Sequence, residues 1–187
     1  MKLTYVESVG VKKLEKHEKT VKFVDDDGVE NQVVNVYPQV KYQSFEGFGG
    51  AVTDAAGYVF QQLDPEQKER LLTMYFHPDH MNYQKVRIHM DSCDFSTHLY
   101  SAIKDPRDQD LESFDFSDTE KYILPLLAAA QKMAQKPLKI MLSPWSPPEF
   151  MKTNNSRKNG GSLKKEHYPL WAKCICLLIY SNFEFCN

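Results

Sequence analysis

Arg87, Asp91 and Asp94 stand close together in Val86-Arg-Ile-His-Met-Asp-Ser-Cys-Asp-Phe-Ser96. An arginine inside an apolar run calls for a carboxylate or a ligand beside it, and the abrupt switch to Asp91, Ser92, Cys93 and Asp94 marks the kind of loop where ligands sit. Two other stretches offer chemistry. Phe45-Glu-Gly-Phe-Gly-Gly-Ala-Val-Thr-Asp54 sets three glycines in four positions, which allows close backbone approach or unusual dihedrals. Ser143-Pro-Trp-Ser-Pro-Pro-Glu-Phe150 places a tryptophan and a glutamate in a proline-rich loop. The glycine run is not G-x-G-x-x-G and lacks the Lys and Ser/Thr of a phosphate loop, so no nucleotide cofactor is expected. Cys174-Ile-Cys176 is C-x-C, and with Cys93 and Cys186 it predicts free, reduced thiols and no metal site or disulfide framework.

Each of these stretches follows a short apolar run. Val86–Met90 and Leu138–Leu142 read as buried strands, and a third strand starts near Phe45. Asp91-Ser-Cys-Asp94 is then a strand emerging into a loop, the place where parallel α/β folds bind ligands. Arg87 lies inside its strand. A buried guanidinium needs a carboxylate or a ligand beside it; the alternative is an edge strand with Arg87 in solvent. Between the strands the pattern is helical. Thr53 or Asp54 caps a helix over Ala55–Leu63, and Asp64-Pro65-Glu66 opens a second to about Phe76. Residues 97–116 form a long polar loop. Ser117-Asp-Thr-Glu120 has capping-box character, with Leu124, Leu127, Ala128, Gln131 and Ala134 at helical spacing until Pro137. Leu163–Tyr180 closes the series as a helix.

Strand–helix alternation with loaded post-strand loops predicts a parallel α/β sheet, specifically about the first three units of a (β/α)₈ barrel, with a doubly wound sheet as alternative. A barrel needs about 250 residues, so the chain reads as incomplete. Upstream, Val21–Val24 and Val29–Tyr37 around Asp25-Asp-Asp-Gly28 predict a hairpin, continued by Val40–Phe45. The expected division is N-terminal strands over 1–43, barrel over 44–173 and a divergent apolar tail over 174–187.

The 187 residues carry a net charge of -2 with no basic block, which argues against nucleic acid and anionic membranes. Aromatics make up 12% of the chain, which leaves room for surfaces that stack sugars or bases, although most aromatics serve the core. Met1–His17 lacks an apolar signal core, and no run reaches the roughly 18 apolar residues of a membrane span. A soluble, cytoplasmic chain is expected.

Gly47-Phe-Gly-Gly-Ala-Val-Thr-Asp-Ala-Ala56, Arg87–Ser96, Ser143-Pro-Trp-Ser-Pro-Pro148 and Met151-Lys-Thr-Asn154 together resemble glycoside hydrolase family 30, the glucosylceramidase-like enzymes. The likeness runs in order from about Tyr42 to Trp171. It implies a retaining β-glycosidase on a (β/α)₈ barrel with a side β-sandwich built partly from residues before the barrel. By resemblance, Asp94 hydrogen-bonds sugar hydroxyls, Trp145 lines the same subsite, Phe95 is a neighbouring wall and Arg87 stands beside the nucleophile. Asp54 and the glycines are structural. The resemblance also implies a carbohydrate or glycoconjugate substrate and no cofactor.

Two departures qualify it. The family's acid/base glutamate sits in an Asn-Glu-Pro segment after the fourth strand and its nucleophile after the seventh; these 187 residues contain no Asn-Glu-Pro. Glu149 follows the third strand, a position the family does not use for catalysis, and Asp91 reads as a loop-capping carboxylate. No catalytic residue is therefore assigned. Turnover is not expected, and a carbohydrate- or partner-binding module is the alternative. From Cys174 onward the likeness fades and only one charge remains, which reads as an out-of-frame or artificial end. Uncovered barrel edges would favour self-association.

Overall fold

The computed structural model describes residues 2–8, 10, 15–25, 28 and 34–183. The chain divides into two compact units, Met1–Ser44 and Phe45–Asn187.

In the first unit β1 (Lys2–Glu7) pairs antiparallel with β2 (Glu15–Thr20), from Lys2 opposite Thr20 to Glu7 opposite Glu15. Tyr5 stacks on His17 across the pair, and Lys2 meets Glu18. The antiparallel element is thus present, but not at the expected place. Residues 21–25 and 34–45 contain no strand, and the rest of the expected 21–37 hairpin, apart from Gly28, lies outside the described residues. Alternation alone does not make a strand. Val24, Val34 and Val36 are 87%, 86% and 76% exposed, with no sheet face to bury them. The strands that do form are charged and nearly without an apolar face, so period-two hydrophobicity passes them over.

The second unit is a three-stranded parallel sheet in the order β3 (Gly49–Val52), β4 (Lys85–Met90), β5 (Lys139–Pro144). It is the expected partial barrel, with three βα units. Ala51, Arg87 and Met141 are in register, as are Val52, Ile88 and Leu142. Val52, Val86 and Ile88 point into a core with Phe60, Leu72, Ile123 and Leu127 of the helices. Ala51, Arg87 and Met141, one residue out of phase, face away from it and are exposed. Gly49 makes the β3–β4 approach possible: a Cβ there would lie 2.1 Å from the Lys85 carbonyl oxygen.

Helix α1 (Asp54–Gln62) is capped by Thr53, whose hydroxyl accepts the Ala56 N–H at 3.2 Å. Helix α2 (Pro65–Phe76) starts with Asp64 and Gln67 bonding reciprocally, the arrangement that Asp-Pro-Glu foreshadows. Helix α3 (Ser117–Ala134) departs from expectation in three ways. Ser117 does not cap it; Asp115 accepts the Ser117 N–H and hydroxyl at 3.0 and 2.6 Å. The buried stripe is Ile123, Leu126, Leu127, Ala130 and Ala134, while Ala128 is exposed. The helix ends at Gln135 in the left-handed conformation, φ 57°, ahead of Pro137. Pro125 lies inside it. Proline cannot donate to the carbonyl four residues back, and Gln61 of α1 supplies that missing donor to Lys121.

Helix α4 (Tyr168–Phe183) follows single 3₁₀ turns at Glu149–Met151 and Lys165–His167. It runs uninterrupted across Lys173 and Cys174, and Cys174 and Leu178 are buried with Met90, Ile103, Met151 and Trp171. Among the described residues, no helix is long and apolar enough to cross a membrane.

Candidate functional site

The loops at the carboxyl ends of β4 and β5 meet over the exposed sheet face. Cys93-Asp-Phe-Ser96 is a tight turn: the Ser96 N–H donates to the Cys93 carbonyl at 3.2 Å, and the Cys93 N–H donates to the Ser96 hydroxyl at 3.0 Å. Asp94 and Phe95 occupy its two central positions, so both side chains project outward. The turn is tied to the start of α1. The Ala55 N–H donates to the Phe95 carbonyl at 2.9 Å, and Asp54 Oδ2 accepts the Thr97 N–H and hydroxyl at 2.7 and 2.9 Å. Asp54 is 1% exposed and works as a loop anchor as well as an opening residue of the helix.

Arg87 is on the middle strand, so the edge-strand alternative fails on topology. It is exposed nonetheless, because its face of the sheet carries no covering layer. No carboxylate among the described residues pairs with it. Its guanidinium donates to the Ser143 hydroxyl at 2.9 Å and lies 5.0 Å from the Trp145 ring centre, a cation–π geometry that fixes the indole at the pocket edge. Around these groups lies a cavity of about 270 Å³ lined by Ala51, Thr53, Arg87, His89, Cys93, Phe95 and Trp145. A larger hollow of about 580 Å³ shares Cys93 and Trp145 and adds Asp94, His98, Ser146 and Lys158 among its walls. The structure therefore places Arg87 and Phe95 on one cavity, Asp94 on the other, and Trp145 on both. Asp94 makes no hydrogen bond or ion pair with the described residues, which leaves its carboxylate open to a ligand. Glu149 lies apart, exposed on its 3₁₀ turn and facing a different hollow beside Lys104 and Phe150.

Sequence reasoning missed His89 and Arg157. His89, 4% exposed, accepts the Asp54 N–H on Nε2 at 3.1 Å and donates from Nδ1 to the Asp91 carbonyl at 2.7 Å. These two bonds require the neutral ring. Burial pushes its pKa down, and Arg87 adds to this against the opposing pull of Asp91 and Asp54. The available signal was its position two residues after Arg87 on the same strand face. Asp91 does close a loop, as expected, through the Ala102 N–H and the Ser101 hydroxyl at 2.9 and 2.8 Å. It also pairs with Arg157, which no local pattern reveals.

The His89 arrangement has a consequence for pH. A folded-state pKa below the unfolded value means that the unfolded chain takes the proton first. The stability tied to the neutral ring is whole above about pH 6.5 and is lost as pH falls through that value toward the folded one. Wild type should therefore lose more stability between pH 7 and 5 than His89→Gln in urea titrations. Parallel profiles would show that His89 is not held neutral.

A parallel sheet with a cavity above its carboxyl ends is how (β/α)₈ barrels place their active sites. The sequence pattern described as the glycosyl hydrolase family 30 TIM-barrel domain matches residues 45–180. The chain belongs to this family. Lysosomal acid glucosylceramidase of Mus musculus is 36% identical over 133 residues, which are 71% of this chain and 26% of that protein. Endo-1,6-beta-D-glucanase of Neurospora crassa is 32% identical over 122 residues, covering 64% of this chain and 25% of the glucanase. The crystal structure of SrfJ from Salmonella typhimurium superposes with a TM-score of 0.82 at 33% identity, over 93% of this chain and 38% of that one. The chain thus spans about a quarter of the length of these curated relatives.

Proposed function

We propose that these 187 residues form one sugar-binding wall of a retaining β-glycosidase that acts on β-glucosides or related glycosyl conjugates, and that neither catalytic carboxylate lies within them. The observation that carries this reading is the unpaired Asp94 carboxylate on a hollow whose wall is also Trp145. A carboxylate accepts two sugar hydroxyls at once, and the indole covers the apolar face of the ring. The names of the mouse and fungal relatives support a β-glucosyl substrate. Arg87, stacked on Trp145, holds that wall and presents a cation where a neighbouring carboxylate would sit.

Retaining hydrolysis needs two carboxyl groups about 5–5.5 Å apart flanking the scissile bond. Asp54 and Asp91 are buried and bonded to backbone and side-chain donors, and Glu149 faces another hollow. Binding without turnover is therefore expected of this chain. Incubated with 4-nitrophenyl β-D-glucoside, the purified chain should release no more nitrophenolate than its Glu149→Gln variant. Turnover that tracks the protein and disappears in Glu149→Gln would contradict this assignment.

A further inference from the structure

We propose that Arg157 is a positioning residue of the sugar pocket: from the loop after β5 it latches onto the loop after β4 and sets Trp145 against the turn that bears Asp94. This rests on the reading of the pocket given above. The guanidinium Nη1 donates to Asp91 Oδ2 at 3.3 Å and Nη2 to the Ser92 carbonyl at 3.2 Å. The Arg157 carbonyl in turn accepts the Ser146 hydroxyl at 2.9 Å, one residue from Trp145. A continuous run of bonds thus leads from the end of β4 to the indole. The two side chains of the ion pair are 4% and 1% exposed, so the guanidinium is committed and not available to a ligand.

Three features separate this pair from an incidental one. The loop that supplies Arg157 is rich in Gly and Asn and lies on the surface, where an arginine has no need to be buried. Burying an ion pair adds little net stability, so its value lies in fixing which segments meet. Asp91 is held at φ 57°, a left-handed conformation that side-chain-bearing residues adopt at a cost. That conformation persists because Asp91 gathers three segments: its carboxylate takes the Ser101 hydroxyl and Ala102 N–H of the long loop along with Arg157, and its carbonyl takes the His89 ring of β4. Cys93, which lines both cavities, sits two residues beyond this junction. It reports on whether the loops are closed.

The test compares wild type, Arg157→Lys, Arg157→Met and the double variant Asp91→Asn/Arg157→Met. The double variant leaves no buried charge unpaired, and Asn tolerates the left-handed backbone, so it keeps the test open if Arg157→Met fails to fold. Iodoacetamide labelling is followed peptide by peptide, with buried Cys174 as the gauge of global unfolding. Methyl β-D-glucoside binding is measured by saturation-transfer NMR. In the double variant Cys93 should label several-fold faster while Cys174 keeps its wild-type rate, and sugar affinity should fall about tenfold, or 1.4 kcal/mol. Arg157→Lys should recover part of both. The proposal is overturned by wild-type Cys93 labelling in a folded double variant. Cys93 and Cys174 accelerating together would overturn it as well, since a purely structural pair predicts that, as would faster Cys93 labelling with sugar affinity unchanged. If wild type itself binds no glucoside, the sugar reading falls, and the labelling pattern alone decides the latch.

Discussion

Gly57→Ala should destabilise the chain by about 3 kcal/mol, at the upper end of overpacking costs. Two effects of opposite sign compete there. Alanine is the better helix former and would gain about 1 kcal/mol in an exposed helix interior. At Gly57, however, the added Cβ would lie 2.2 Å from the Tyr122 carbonyl oxygen and 2.5 Å from its carbon. Both belong to the backbone of α3, so no side-chain rotation relieves the clash, and α1 must move off α3. That movement would also break the bond from Gln61 to the Lys121 carbonyl, which Pro125 leaves without a helical donor. A net loss of this size lowers the melting temperature of a chain this long by roughly 6–12 °C. An unchanged or raised melting temperature would mean that the α1–α3 contact is looser than described.

The second large effect belongs to Asp54. Were it only the opening residue of α1, its loss would cost about 1 kcal/mol. The cap is in fact Thr53, and Asp54 anchors the loop after the Cys93–Ser96 turn through two bonds to Thr97. Asp54→Ala strands the Thr97 N–H, for which the cost is about 1–3 kcal/mol, and it also removes the bond to the hydroxyl. A total of about 2–3 kcal/mol is expected, because Thr97 itself is exposed and water can replace part of the loss. Chemical denaturation of Asp54→Ala beside Asp94→Asn measures this. Asp94→Asn, at an exposed position without a protein partner, should stay within about 0.5 kcal/mol of wild type. Equal stabilities for the two would show that the Asp54–Thr97 anchor is absent.

Much of the barrel portion was readable before any coordinates. Asp64-Pro65 and Thr53 announce their helices because caps are local chemistry, and Val86–Met90 and Leu138–Leu142 announce strands because a parallel sheet is apolar on its covered face. However, β5 proves to be an edge strand of half-buried and exposed residues rather than a buried one. Of the glycine run, Gly49 shows one use, a strand approach too close for any Cβ. Features that depend on distant partners were not readable. Arg157 and Asp91 are separated by 66 positions, and Asp54 meets Thr97 across 43. The start of α3 was misread because Ser117 offers good capping chemistry, whereas Phe116 holds the cap position with no side-chain cap bond and Ser117 instead donates to Asp115. The expected carboxylate neighbour of Arg87 is replaced among the described residues by Trp145 and Ser143, since an exposed sheet face does not impose the pairing that a closed interior would.

The central claim is that the hollow beside Asp94 and Trp145 accepts a β-linked glucosyl unit. Saturation-transfer NMR with methyl β-D-glucoside tests it on the chain as it stands. A single sugar against one wall is expected to bind with a dissociation constant on the order of millimolar. Signal should transfer to the sugar ring protons with wild type and fall at least severalfold with both Asp94→Asn and Trp145→Ala, each at unchanged melting temperature. No transfer with folded wild type, or transfer that neither substitution reduces, would contradict the account.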